Sequence, residues 1–245
     1  MIADIVTVAR KELREYAWSG TGARGGKFGL LILLFVFGVV LPGQNGAAWL
    51  RSPLILVAWA WVPLMLVAGV VADSFAGERE RHTLETLLAS RLPDRAILIG
   101  KVAAAVAYGW GFTLLTAAVS LISVNIIDWQ GQFVLFPAVT AVAVPVFSLL
   151  TALAASAAGV LISLRAPTAR QAGQTLSVGV MLLLFVPMFG VRALPAGLRA
   201  SWGLYLAGLG APALLAGVAV LLVLLDAALI AAALGRFRRA RLVLD

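Results

Sequence analysis

Residues 76–101 read "AGERERHTLETLLASRLPDRAILIGK" and gather nine charged side chains into a 245-residue chain that is 62% hydrophobic and only 12% charged. Both flanks are apolar: residues 56–72 read "LVAWAWVPLMLVAGVVA" and residues 102–122 read "VAAAVAYGWGFTLLTAAVSLI". A soluble domain of this length cannot hide that much apolar surface in one core, so the chain belongs in a bilayer. The charged stretch is then a polar connector between two membrane spans.

Working outward, stretches that approach the roughly 20 apolar residues of a spanning helix lie at 27–42, 53–72, 102–122, 137–164, 176–191 and 211–234. With the N-terminus inside, 16 of the 19 basic residues fall on the cytoplasmic side, and only Arg51, Arg192 and Arg199 fall outside. That asymmetry predicts six spans with both termini cytoplasmic, because one missed helix would swap the sides of everything after it. The net charge of +8 therefore reports topology. Nucleic-acid binding would need basic residues gathered with aromatics on a solvated face, and here they sit at the ends of apolar runs. With no cysteine and one histidine, His82, neither a cysteine nucleophile nor a metal cluster is expected.

The first 27 residues are charged and lack the short apolar core and small-residue cleavage site of a signal peptide, so no cleavable signal is expected. Ile2, Ile5, Val6, Ala9, Leu13 and Tyr16 recur at helical spacing, with Asp4, Arg10, Lys11, Glu12, Arg14 and Glu15 on the remaining arc. This predicts an amphipathic helix in the cytoplasmic interface or against a soluble partner. Residues 192–210 are too broken by glycine and proline to span, yet carry Trp202 and Tyr205. They predict short interfacial or re-entrant extracellular helices before the last span. The fold class expected is an all-α polytopic membrane protein in one transmembrane domain, 1–245.

Within the quoted stretch, Leu84, Leu87 and Leu88 form a short apolar ridge on a charged helix, Pro93 ends it, and Asp94 is placed to cap the next helix. Spacing alone leaves open a solvated connector or a docking element. The run Gly77, Glu78, Arg79, Glu80, Arg81, then Thr83, Leu84, Glu85, Leu87, Leu88, Ala89, Ser90, closing in Gly100 and Lys101, resembles the cytoplasmic signature of ABC transporter permeases of the type-2 exporter class. His82 stands where the family usually has glycine, and the usual proline is displaced to Pro93, with Arg91 in its place. The resemblance implies that 77–95 is a coupling helix received by a separate ABC ATP-binding subunit, with Gly77, Glu78, Arg79, Glu80, Arg81, His82, Thr83, Leu84, Glu85, Leu87 and Leu88 as the contact. It further implies a non-catalytic subunit of an ATP-driven exporter in a prokaryotic cytoplasmic membrane, paired with a second permease copy or a paralogue. ATP and magnesium then belong to the partner subunit, and this chain binds no cofactor.

Its own nearest approach to a phosphate loop, "SGTGARGGKF" at 19–28, has Thr21 where glycine is needed and Phe28 after Lys27. A membrane-embedded hydrolase would need a nucleophile with a base, or a metal, for which the residues are missing. The alternative is a proton-coupled secondary transporter using Asp226, which lies roughly 15 Å below the cytoplasmic end of the last span at 1.5 Å per residue. Asp226 is read either as a pathway or coupling group or as a protonated carboxyl bonded to a neighbouring helix. In the fourth span, Ala155 and Gly159 have the spacing for close helix contact, while Ser148, Thr151 and Ser156 either line a pathway or bond to their own backbone.

Overall fold

Apolar runs in hydrocarbon satisfy their backbone polar groups internally, and every element described in the computed structural model is helical. It describes residues 1–19, 25–52, 54–81, 83 and 91–237. Most of the glycine-rich stretch, at 20–24, together with the ridge at Leu84, Leu87 and Leu88, His82, Glu85 and the basic residues after Phe237, lies outside the described residues.

Helix α1 covers Ile2–Ser19. Helix α2 (Gly25–Phe35) continues through a π-helical turn, Val36–Val40, into α3 (Leu41–Asn45), and α4 (Ala47–Arg51) follows a reversal at Gly46. Helix α5 (Leu54–Ala72) ends in a second π-helical turn, Asp73–Gly77, and α6 (Glu78–Glu80) leads into the charged stretch. Then come α7 (Asp94–Ile127), α8 (Ala138–Ser163), α9 (Ala169–Ala193), α10 (Ala196–Leu209) and α11 (Ala211–Arg236). Five stretches among the described residues are long and apolar enough to cross a membrane: Lys27–Asn45, Ile55–Glu80, Asp94–Ile127, Ala138–Ser163 and Ala211–Arg236. The expected stretch 176–191 lies inside the 25-residue α9.

Helix α5 is the hub, packing on α7, α8 and α9, while α11 packs on α8 and α1 on α7. Small residues set these contacts. A Cβ on Gly159 of α8 would stand 2.8 Å from Val71 Cγ1 of α5, so glycine there lets the two backbones close. Ala155 is buried beside it, and the pair serves packing within the chain. At the end away from the charged stretch, Gly46 has φ +53°, which few residues with a side chain adopt, and its neighbour's amide, Ala47 N–H, donates to Asp128 Oδ2 at 2.9 Å. The indole of Trp49 donates to Ser120 Oγ at 2.9 Å.

Two local expectations are corrected. Asp94 is the first helical residue of α7 rather than its cap, with extended Pro93 preceding it; an acidic side chain in the first turn faces the positive end of the helix dipole. Helix α1 docks through a face centred on Val8, Glu12 and Tyr16, so Glu12 is not on a solvated arc but buried. Ile2, Val6 and Leu13 form a second, exposed apolar stripe. Residues 196–209 form one exposed helix before the last long one.

Candidate functional site

The charged stretch begins at the end of α5, and its first turn reaches inward before the chain leaves. Lys101, two turns into α7, is 1% exposed, an extreme burial for a lysine. Its ammonium donates to Glu12 Oε1 at 2.9 Å, Glu78 Oε1 at 2.8 Å, the Ser74 carbonyl at 3.0 Å and Ser74 Oγ at 3.1 Å, and stands 5.4 Å from the centre of the Phe75 ring. Glu12 (2% exposed) also accepts from Tyr16 and Ser74 hydroxyls through Oε2, at 3.2 and 3.3 Å. Lys11 closes the rim, 3.2 Å from Glu12 and 3.6 Å from Glu78.

Each partner comes from a different element: Glu12 from α1, Ser74 from the π-helical turn, Glu78 from α6 and Lys101 from α7. The π-helical turn carries one residue more than an α-helical turn and directs the Ser74 carbonyl at the ammonium rather than leaving it to the helix alone. Gly100 makes the crossing possible. A Cβ there would lie 2.7 Å from Val8 Cβ and 3.0 Å from the Ile5 carbonyl, so the residue before Lys101 has no side chain and α1 passes over it.

The electrostatics follow from this enclosure. Burial by itself would raise the Glu12 carboxyl, yet the charge and hydrogen bond of Lys101, aided by Lys11, hold it below its ordinary 4.5. Partial burial works against charging Lys11, but Glu12, a hydrogen bond to Glu15 and the charge of Glu78 push it up to about 12. Burial, then the charge of Glu12, raise the Tyr16 phenol, which stays a donor.

Glu78 points inward, and the next two side chains point to the α8–α9 turn. Arg79 donates to the carbonyls of Leu164 at 3.1 Å and of Ser163 and Ala166 at 3.4 Å, the unpaired acceptors at the end of α8. Glu80 Oε2 accepts from the Ala169 amide at 3.2 Å, the first residue of α9, where Thr168 Oγ1 caps Gln171 N–H. Arg81 returns to Asp73 at 3.2 Å across Gly77. One short segment thereby holds four helices: α1 and α7 through Lys101, α8 and α9 through Arg79 and Glu80.

Of the expected contact residues, Gly77 and Glu78 are buried within the protein, Arg79 is half-buried, and Glu80, Arg81 and Thr83 are exposed. Thr83 Oγ1 donates to the Glu78 carbonyl at 3.2 Å. His82, Leu84, Glu85, Leu87 and Leu88 are outside the described residues. Asp226 is apart from this cluster, buried on α11 at 4% exposure, and neither carboxylate oxygen has a hydrogen-bond partner among the described residues. Ser148 and Thr151 donate to their own helix, to the Val144 and Phe147 carbonyls, at 2.6 and 2.8 Å. Among the described residues no group of three His, Cys, Asp or Glu side chains is placed to hold a metal ion.

Sequence reasoning overlooked Glu12 and Lys101 as partners. A signal was present: a lysine within a helix that continues as a long apolar run needs a buried counter-charge, and Glu12 is i, i+4 from both Val8 and Tyr16. Comparison with curated proteins gave no match. The sequence model for the ABC-2 family transporter protein matches residues 43–207, which takes in α4 through most of α10 and both halves of the charged stretch. The chain belongs to the ABC-2 family of transporter proteins, a membrane permease.

Proposed function

We propose that this chain is the membrane subunit of an ATP-driven exporter, moved by a separate ABC ATP-binding subunit that engages residues 77–95. The observation that carries this reading is the tie between the first turn of that segment and α1, α7, α8 and α9. A push on a segment bonded to four helices is passed to all of them, whereas a solvated connector would dissipate it. Exposed Glu80, Arg81 and Thr83, with the leucine ridge that follows, suit a small apolar centre with a polar rim.

The topology of the proposal is six spans with both termini cytoplasmic. Helix α9 starts beside Glu80 and α11 starts at the opposite end, where Pro212 lies in one groove with Val139 of α8. A helix of 25 residues, roughly 37 Å at 1.5 Å per residue, is long enough for that crossing. The exposed stripe Ile2, Val6 and Leu13 on α1 suits the cytoplasmic lipid interface. Two such permeases enclose the pathway, consistent with the broad exposed apolar faces of α9 and α11. The proton-coupled reading gains nothing from the family match.

The absence of native cysteine makes the test direct. In His82→Cys, crosslinking in the native host's membranes should capture an ATP-binding subunit, and ATP should change the yield. Capture of no ATPase, with none copurifying, would overturn the exporter reading.

A further inference from the structure

We propose that the cleft between α7, α8 and α11 is a binding site for one anionic phospholipid of the leaflet at the charged end, its acyl chain in the cleft and its phosphate between Arg95 and Arg236. The cleft is a cavity of about 400 Å³ lined by Ile99, Val106 and Trp110 of α7, Ala157 of α8, and Ile230 and Leu234 of α11. Among the described residues no charged side chain lines it. Trp110 gives its indole N–H to the Pro145 carbonyl at 3.0 Å, so the far end presents only the apolar ring.

Dimensions select the occupant. From Leu98 to Trp110 the cleft follows α7 for roughly 18 Å at 1.5 Å per residue, close to one leaflet of a hydrocarbon core about 30 Å thick. The cleft is open along one side, and its length and wholly apolar walls suit an acyl chain lying parallel to α7.

Charge selects the headgroup. Arg95 precedes Ile99, Val102 and Val106 by four, seven and eleven residues, the spacing of one helix face, and all three line the cleft. Arg236 follows Ala233, another lining residue, by three. Both arginines are exposed, and neither has an ion-pair partner among the described residues. They share the charged end, because Phe237 stacks edge-on to Phe75 at 5.9 Å and Phe75 underlies Lys101. A second apolar groove, of about 440 Å³, lies at the opposite end of α8 and α11. There the two lining helices carry no charge from 138 to 163 or from 211 to 225, so neither offers a lipid a charged headgroup contact of its own. The site depends on membrane placement alone and stands whether or not ATP coupling does.

The test is photo-crosslinking in nanodiscs of phosphatidylcholine with phosphatidylglycerol, either lipid carrying a diazirine in its acyl chain. The expected result is preferential labelling by phosphatidylglycerol on peptides 98–110 and 230–234. Arg95→Gln with Arg236→Gln should reduce that labelling at least fivefold, to the phosphatidylcholine level. Ala107→Trp, which fills the cleft from an exposed lining position, should abolish labelling of these peptides by both lipids. Equal labelling by the two lipids in the unaltered protein, labelling spread evenly over the exposed helices, or crosslinks at 99–106 to a second copy of the chain would each overturn the proposal. The His82→Cys capture of an ATPase is a separate readout, so either proposal can fail without the other.

Discussion

A lysine enclosed by two carboxylates is held by balance, and removing one member leaves the others uncompensated. Lys101→Met is expected to cost about 3–5 kcal/mol, since it strands Glu12 and Glu78 as buried like charges. Thermal unfolding in detergent reads this as a large fall in Tm. Adding Glu12→Gln should recover part of the loss, and two independent penalties that simply summed would contradict the network. The same pairing dictates a pH profile. Glu12 has a folded value below its ordinary 4.5, so its stabilisation is complete above that value and is lost as pH falls through the lowered one. Lys11, raised from 10.5 to about 12, contributes fully below 10.5 and loses its contribution as pH rises toward 12. The Glu12 and Lys11 contributions should therefore be constant from about pH 5 to about pH 10 and be lost on either side, and Glu12→Gln should flatten the acid limb of the Tm profile.

At the scale of elements, α1 depends on a single missing side chain. Gly100→Val should force α1 away from α7, at a cost of about 1–3 kcal/mol if the contact strains rather than breaks. Limited proteolysis within the first 20 residues reads the release of α1, and Val8→Ala should restore protection by vacating the space. Unchanged cleavage would mean that α1 is held elsewhere. Element existence was legible in the sequence, because runs of this length and hydropathy permit little but helix in lipid. Boundaries were less so: the apolar count began the third span at 102, whereas α7 starts at Asp94, since a helix continues into water wherever side chains beyond the hydrocarbon tolerate it. The face of α1 was misjudged for a related reason. Periodicity assigns Glu12 to solvent by chemical type, while its burial is decided by a lysine 89 residues away, a relation that hydropathy patterning does not encode.

At the scale of the whole molecule, stability and transport are to be measured together at Asp226. A buried carboxyl with no hydrogen-bond partner among the described residues carries a desolvation cost of about 1–3 kcal/mol when neutral and more when ionised, so Asp226→Asn or Asp226→Leu should raise Tm. If the residue serves transport, reconstituted vesicles will move less cargo despite the gain. A rise in Tm with transport unchanged would assign it no part in the pathway. The Lys101 cluster has one more property, which concerns voltage. Lys11, Lys101, Glu12 and Glu78 sum to zero charge and are bound together, with Glu15 adding one negative charge at the exposed rim through Lys11 at 3.0 Å. A membrane potential does work of about 2.3 kcal/mol per elementary charge per 100 mV, and a neutral body carried along the field moves no net charge through it. The enclosed pairing of Lys101 therefore adds no net gating charge to any movement of the charged end against the membrane.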